Sequence, residues 1–214
     1  MVDRLRGFCL AAGLILLLGG AGLFLIRYRV YAVPTSSMTP ALLPGDRIIV
    51  DTWSRDAAPG DVVLALVTGE SERVVKRVTA TAGTTVTCCD TSGRLLVGNV
   101  TLPGSARPGD NPFSVRVTEG HLFLTGDNPV VSRDSRSAAS TGPTDGTVPS
   151  SAVLGRVAGV VFPAARAHVL PDRAAPTLRA VLLSLTAGLA LTVAAALLSL
   201  ALAAHRRVRR SVSI

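Results

Sequence analysis

Lys76 could do acid–base chemistry, because it is the single lysine among 22 basic residues, the others being arginines. Arginine stays protonated in proteins, whereas a desolvated lysine can lose its proton and act as a base. Strand alternation would place Lys76 on the same face as Val74 and Val78, and an inward lysine in an apolar setting is a candidate general base. The presence of a single lysine could also be due to chance, with Lys76 on a solvent-exposed strand and without a catalytic role.

A candidate nucleophile for such a base lies in the hydroxyl-rich segment Val33-Pro34-Thr35-Ser36-Ser37-Met38-Thr39-Pro40. Its two flanking prolines stiffen the backbone. A second polar cluster, residues 126–136, follows an apolar segment that is typical of a strand. Taken singly, the first segment also fits a polar linker, and the second fits a turn with surface charges.

Other kinds of catalytic site have little support. His121 and His168 are the only histidines between the two long apolar runs, and neither has the surroundings of a Ser-His-Asp triad. No ligand spacing typical of a metal site occurs, so we expect no metal and no cofactor. Cys88 and Cys89 are adjacent, which leaves a vicinal disulfide, a redox role or inert residues as alternatives.

Three short motifs, taken in order, closely resemble those of the bacterial type I signal peptidases, which are membrane-bound Ser-Lys proteases. The resemblance extends from about Pro34 to about Arg156. The matching residues are Ser37-Met38-Thr39-Pro40, Lys76-Arg77-Val78 with Ala82-Gly83, and Gly126-Asp127-Asn128 with Ser132-Arg133-Asp134-Ser135-Arg136. Each motif alone is weak, but the three in order, directly after an apolar run, are a specific signal.

The resemblance implies removal of signal peptides from secretory preproteins through an acyl-enzyme. Ser37 would be the nucleophile and Lys76 the general base, while Thr35 and the backbone N–H of Ser37 would form the oxyanion hole. The supporting residues implied are Ser132, which would orient the lysine, and Asp134 and Arg136, which would form an ion pair. Small residues before the cleavage site and proximity to the secretion translocase are also implied.

Three local departures from the family pattern leave a second interpretation open. Pro129 replaces a frequent arginine, Val130-Val131 replace polar residues, and Ala82-Gly83-Thr84 replaces a common Pro-Gly-Asp. None removes Ser37 or Lys76. The alternative function is an inactive membrane-anchored β domain that acts as a scaffold or binding module.

The elements that must position these residues are predicted to be mainly β. Short β-branched runs separated by Gly, Pro and Asp indicate eight to twelve strands in an antiparallel barrel or sandwich-like domain. Residues 137–147 are rich in Ser, Thr and Gly and are predicted to form a loop. The domain would cover residues 27–164, followed by a linker over residues 165–179.

Two uncharged apolar runs, residues 7–26 and 180–204, are long enough to cross a membrane as helices. The last ten residues, 205–214, carry four arginines and no acid, which predicts a cytoplasmic C-terminus. Two spans then place residues 1–6 in the cytoplasm as well and the β domain outside the cell. The first run is longer than the core of a cleaved signal peptide, so we interpret it as an anchor.

The net charge of +8 does not by itself indicate nucleic-acid binding, because no basic stripe with interleaved aromatics occurs. Much of the excess lies in the two tails, where it suits anionic lipid. We therefore expect lipid and preproteins as partners, and no nucleic acid.

Overall fold

The computed structural model describes residues 2–67, 73–107, 109–141, 145–170 and 175–211. It divides into a helical unit and a β unit, Tyr28–Ala175. The helices and strands, in chain order, are α1 (Val2–Arg27), β1 (Tyr28–Ala32), β2 (Arg47–Asp51), β3 (Val62–Leu66), β4 (Arg73–Thr81), β5 (Thr85–Cys88), β6 (Leu95–Val97), β7 (Val100–Thr101), β8 (Phe113–Arg116), β9 (His121–Thr125), α2 (Ser135–Thr141), β10 (Val148–Pro149), β11 (Val153–Phe162), β12 (His168–Val169) and α3 (Ala175–Ser211). Three 3-10 turns are Ser36–Met38, Ser150–Ala152 and Ala164–Arg166.

The helical unit consists of α1 and α3, which contain segments long and apolar enough to cross a membrane, Arg4–Arg27 and Pro176–Ala204. Both helices extend beyond the predicted runs of residues 7–26 and 180–204. Glycines bring their backbones together, because a Cβ on Gly13 would lie 3.0 Å from the Gly188 carbonyl oxygen. Small residues of this kind are typical of helix contacts in membranes. Residues 212–214 of the predicted tail lie outside the described residues.

The β unit confirms the prediction of a mainly antiparallel β domain. Its larger sheet has the order β1-β2-β11-β3-β4-β9-β10, with β12 also paired to β11, and its smaller sheet has the order β7-β6-β5-β8. Every strand pair among the described residues is antiparallel. The second and third motifs therefore lie on or directly after the neighbouring strands β4 and β9, whereas β11 and β3 separate β4 from the β2 strand that follows the first motif.

Two Pro-Gly-Asp sequences, Pro44-Gly45-Asp46 and Pro59-Gly60-Asp61, form the same turn and lead into β2 and β3. Gly45 and Gly60 have φ of +91° and +94°, and the following aspartate N–H bonds back to the carbonyl three residues earlier. This is the type II turn, which favours Pro at its second position and Gly at its third. The carboxylates of Asp46 and Asp61 each accept the N–H of the first turn residue at 2.9 Å.

Apolar side chains form three clusters in the β unit. The first lies around β2 and contains Val33 and Met38 of the hydroxyl-rich segment, together with Leu42 just after it. The second lies between β3, β4 and β9, and the third lies at the smaller sheet. The first cluster thus anchors the candidate nucleophile segment through its apolar neighbours.

Two irregular segments are more ordered than predicted. The predicted loop over residues 137–147 begins inside α2, and residues 142–144 lie outside the described part. The predicted linker over residues 165–179 contains β12, and α3 already begins at Ala175, while residues 171–174 are not described. β12 approaches β11 closely because Gly159 has no side chain; a Cβ there would lie 2.5 Å from the His168 carbonyl oxygen.

Candidate active site

Ser37 lies in the 3-10 turn Ser36–Met38, between β1 and β2. Met38 and Leu42 are fully buried in the first cluster, and the Leu42 N–H donates to the Met38 carbonyl at 2.9 Å. These apolar anchors hold the turn against the sheet. Ser37 is consequently buried, with 9% of its surface exposed.

Lys76 meets Ser37 from the middle of β4, although 39 residues separate them in sequence. It pairs in register with the fully buried Val63 of β3 and is itself only 6% exposed. Its Nζ donates to the Ser37 Oγ at 3.3 Å. Thr35 Oγ1 lies 3.2 Å from the same oxygen. The three side chains predicted to act together therefore converge on one hydroxyl.

Such a group can perform nucleophilic chemistry if the amine is neutral. An amine within hydrogen-bond reach of an alcohol can accept its proton, and burial disfavours the charged form of an amine. Among the described residues, the group of potential metal ligands that lie close together is Cys88, Cys89 and Asp110, and it includes neither Ser37 nor Lys76.

The third motif holds the backbone of Ser37, the candidate nucleophile. The Asn128 N–H donates to the Ser37 carbonyl at 3.0 Å, and the Ser132 N–H donates to the Asn128 carbonyl at 3.1 Å. Gly126 faces the same carbonyl so closely that a Cβ there would lie 2.4 Å from it. The loop after β9 therefore requires glycine at this position.

A pair of charged residues ties the second motif to the third. Arg77 donates from Nε and Nη2 to both carboxylate oxygens of Asp127, at 2.7 and 2.6 Å, and from Nη1 to the Gly60 carbonyl at 2.8 Å. The hydrogen bonds to Asp127 raise the pKa of Arg77 above its ordinary value. This clamp fixes β4, the loop after β9 and the second Pro-Gly-Asp turn relative to one another.

Ser132 lies beside the nucleophile, but its predicted role is not visible as a hydrogen bond. Its side chain is fully buried, and a Cβ on Gly126 would lie 2.3 Å from its Oγ. Within the described part of the chain, that Oγ has no hydrogen-bond partner. That Ser132 orients Lys76 therefore stays a prediction.

Asp134 and Arg136 do not form the ion pair that the resemblance implied. Asp134 caps α2: its Oδ2 accepts the Gly126 N–H at 2.9 Å and its Oδ1 accepts the Arg136 N–H at 3.1 Å. The Arg136 guanidinium instead lies 3.2 Å from Asp110 and donates to the Ser105 carbonyl. Asp134 serves backbone amides because the helix start leaves them without partners.

Burial shifts the ionisation of this second pair in opposite directions. Removal from water raises the pKa of Asp110 and lowers the pKa of Arg136, since both charged forms lose hydration. The attraction between the two charges opposes each shift. Arg136, with 2% of its side chain exposed, is thus a cation held inside the domain by Asp110.

Asp110 and Arg107 are the supporting residues that the motifs missed. Arg107 Nη1 donates to the Ser132 carbonyl at 3.1 Å and to Ser137 Oγ at 2.8 Å, while its Nε lies 3.4 Å from Asp110. They precede β8 in an irregular segment with no periodic pattern. An arginine and an aspartate three residues apart were the only signal available.

A cleft of about 330 Å³ opens beside Ser37. Its walls are mostly apolar and include Val131, one of the departures from the family pattern. The other lining residues are Tyr31, Ala32, Val33, Pro34, Thr35, Ser36, Ser37, Met38, Leu64, Arg73, Val74, Val75, Lys76 and Arg133. A cavity of this size lies within the range that binds small molecules or peptide side chains.

The chain is similar to known proteins of one family. Residues 5–162 match the family described as signal peptidase, peptidase S26. The chain is 29% identical over 201 residues to a probable signal peptidase I of Mycobacterium leprae, covering 64% of this chain and 70% of that protein. It is 27% identical over 194 residues to signal peptidase I of Mycobacterium tuberculosis, covering 64% and 66%.

A solved structure of a signal peptidase I from Enterococcus faecalis V583 is also similar, with 23% identity and a TM-score of 0.38, over 48% of this chain and 97% of the other. The alignments to the mycobacterial proteins span about two thirds of their lengths. The match to the family covers most of the present chain, including all three motifs. The chain therefore belongs to the signal peptidase family, peptidase S26, and is a serine peptidase of the hydrolase class.

Proposed function

We propose that this protein removes signal peptides from secretory preproteins with a Ser37–Lys76 dyad. The observation that carries the proposal is the buried contact of Lys76 Nζ with Ser37 Oγ at 3.3 Å. Family membership supports the reaction, and the geometry supports these two residues as its agents. No histidine belongs to the described lining of the cleft, so the amine is the base within reach of the alcohol there.

The reaction proceeds in two halves. Ser37 Oγ attacks the carbonyl carbon of the scissile bond while Lys76 Nζ takes the hydroxyl proton. The resulting ammonium gives that proton to the leaving amine, the C–N bond breaks, and an ester to Ser37 remains. Lys76, neutral again, takes a proton from a water molecule, which attacks the ester. The ester C–O bond then breaks as the ammonium gives that proton to Ser37 Oγ, and the signal peptide leaves with a new carboxyl terminus. Burial of the amine favours its neutral form at the start of each half.

The oxyanion of each tetrahedral intermediate is stabilised by Thr35 Oγ1 and the Ser37 backbone N–H. Thr35 is supported by its 3.2 Å contact with the Ser37 hydroxyl, which places a donor next to the reacting oxygen. Donors of this kind are typically worth about 10²–10³ in rate each. Ser132, buried beside the Ser37 carbonyl, orients the amine during the cycle.

The substrate is a preprotein whose residues before the cleavage site are small. The part that becomes the acyl group occupies the cleft beside Ser37, whose side chains are largely apolar. The enzyme works close to the secretion translocase, which delivers such chains.

The enzyme is held in the cell membrane by two spans. We assign residues 1–6 and 205–214 to cytoplasmic tails, residues 7–26 and 180–204 to the spans, and residues 27–164 to an extracytoplasmic peptidase domain joined to the second span by residues 165–179. Two candidate membrane helices and the arginines of the last ten residues support this orientation.

The test is cleavage of a purified preprotein by the full-length protein in detergent. We expect a free signal peptide from the wild type and none from Ser37→Ala. A mass shift of the enzyme on rapid acid quench would identify the ester to Ser37. A folded wild-type protein that releases no signal peptide would favour the scaffold alternative, and cleavage by Ser37→Ala would eliminate the dyad.

A further inference from the structure

The cleft beside Ser37 carries charge of one sign. Its charged side chains are Arg73, Lys76 and Arg133, and no aspartate or glutamate belongs to its described lining. Arg73 begins β4, whereas Arg133 belongs to the loop after β9, so the two arginines come from separate segments. Lys76 is neutral when it acts as a base, whereas arginine stays charged. The two guanidinium groups are therefore the permanent charges of this cleft.

Arg73 is positioned by an aromatic contact. Its guanidinium carbon lies over the ring of Tyr31, 5.8 Å from the ring centroid, and Tyr31 lines the same cleft. The attraction between a guanidinium and an aromatic face restricts where the cation can lie. Arg73 remains exposed, and a stacked guanidinium still offers the N–H groups at its edge. These donors are available to a molecule bound in the cleft.

Arg133 is exposed, but its backbone is held on both sides. Ser132, before it, is fully buried, and the Asp134 carboxylate, after it, accepts the Gly126 N–H at 2.9 Å. Among the residues that the structure describes, neither Arg73 nor Arg133 forms an ion pair with an acid. Both cations can therefore bind a carboxylate that a substrate brings.

We propose that Arg73 and Arg133 are specificity-determining residues that favour preproteins with a carboxylate two to five residues before the scissile bond. This inference rests on the proposed function, since it concerns the substrate of the same cleft. A strand rises about 3.3 Å per residue, so Arg73 lies about 10 Å along β4 from Lys76, and an extended substrate covers that distance in about three residues. Apolar walls focus the field of charges of one sign, and a guanidinium can donate two parallel hydrogen bonds to a carboxylate.

The experiment compares preproteins that carry a single Asp, Asn or Lys at each of these four positions. Asp and Asn have nearly the same shape, so the ratio of their kcat/KM values isolates the effect of charge. At one position or more, we expect about fivefold faster cleavage with Asp than with Asn, and the slowest cleavage with Lys. The ratio should fall as salt is added, because the arginines are exposed. Equal kcat/KM for Asp and Asn at all four positions would overturn the proposal.

Variants assign the preference to the two arginines. Arg73→Gln and Arg133→Gln should each lower the Asp-to-Asn ratio towards one, and Arg73→Lys should keep most of it because the charge remains. The matched control is Arg116→Gln, which changes an exposed arginine of β8 outside the cleft and should leave the ratio unchanged. Each ratio is taken within one protein, so a general loss of activity cancels. A wild-type ratio in both cleft variants would overturn the assignment.

Binding to Ser37→Ala distinguishes failure of this inference from failure of the proposed function. Fluorescence anisotropy of labelled peptides measures affinity without any cleavage. We expect the Asp peptide to bind about fivefold more tightly than the Asn peptide. Equal affinity of the two peptides would overturn the charge preference even if the wild type cleaves preproteins. Absence of cleavage of the Asn preprotein by the wild type would instead contradict the proposed function.

Discussion

Lys76 and Arg77 are consecutive residues of β4 with contrasting surroundings. Lys76 is 6% exposed and directs its amine to an alcohol. The Arg77 side chain is 34% exposed and forms two hydrogen bonds to one carboxylate. Alternation along a strand sends neighbours to opposite faces, so one short segment supplies both the proposed proton acceptor and a structural clamp. The contrast shows why the two basic side chains cannot exchange roles.

Arginine has the structural role elsewhere in the β unit as well. Arg166 donates from Nε and Nη2 to Asp46, whose carboxylate also organises the first Pro-Gly-Asp turn. Arg136 and Asp110 form a further pair within the domain. A group that remains charged can hold a carboxylate at any physiological pH, whereas a base must be able to give up its proton. The single lysine of the chain, Lys76, is the proposed base.

Exchanging the two basic residues has the largest expected effect. Lys76→Arg replaces the proposed neutral base by a permanent cation, so cleavage should fall by about 10³–10⁴-fold. Arg77→Lys keeps the charge but loses the two-pronged clamp, so cleavage should fall by about tenfold or less. Initial rates on a preprotein measure both variants. Near wild-type cleavage by Lys76→Arg would contradict the role of Lys76.

Gly126→Ala tests whether the loop after β9 must fit closely against the Ser37 carbonyl. A methyl group would lie 2.4 Å from the Ser37 carbonyl and 2.3 Å from Ser132 Oγ, so the loop or the nucleophile has to shift. We expect about 1–3 kcal/mol of destabilisation and about 10²-fold slower cleavage. Denaturant titration and initial rates are the measurements. The matched control is Gly7→Ala, where no atom lies within 4 Å of the added Cβ.

Thr35→Ala removes a hydroxyl that, like the Lys76 amine, contacts Ser37 Oγ. We expect kcat to drop by about 10–10²-fold with KM nearly unchanged, because an oxyanion donor acts in the transition state. Thr35→Ser should restore most of the rate, since it keeps the donor. If Thr35→Ala cleaves at the wild-type rate, Thr35 has no part in the mechanism.

The smallest expected effect is on the pH dependence of folding stability, through the ion pair of Arg166 with Asp46. The hydrogen bond from Arg166 holds the pKa of Asp46 below its ordinary value. The resulting stabilisation is complete above the ordinary carboxyl pKa and disappears as the pH falls through the lowered one. Thermal unfolding should therefore show a loss of stability on acidification that is smaller in Asp46→Asn. An identical pH dependence in both proteins would contradict this assignment.

Two local features could be predicted from sequence because each combines residue types with a strong local meaning. Pro-Gly-Asp marks a type II turn, and both copies form it. A lysine flanked by valines indicates a buried position on a strand, and Lys76 occupies one. The spacing of residues along the sequence could not predict that β3 pairs with β4. This pairing determines how deeply the Lys76 amine is buried.

Supporting contacts were less predictable, because they depend on which loops meet. Asp110 pairs with Arg136 only because the segment before β8 lies against α2, and no motif marks it. Asp134 was expected to bind that arginine but caps the helix. The Ser- and Thr-rich stretch after Asp134 also looked like a loop, yet tertiary packing makes its first part helical.

The sequence by itself determined the chemical inventory: one deprotonatable amine, a hydroxyl-rich turn, a glycine-containing loop and two apolar helices, all of which follow from residue type and local pattern. Tertiary structure alone decided that the amine lies 3.3 Å from Ser37 and that Arg136 binds Asp110. The physical reason is that local conformational preferences act over a few residues. Burial and charge pairing join residues that are distant in sequence, and these forces depend on the folded sheet.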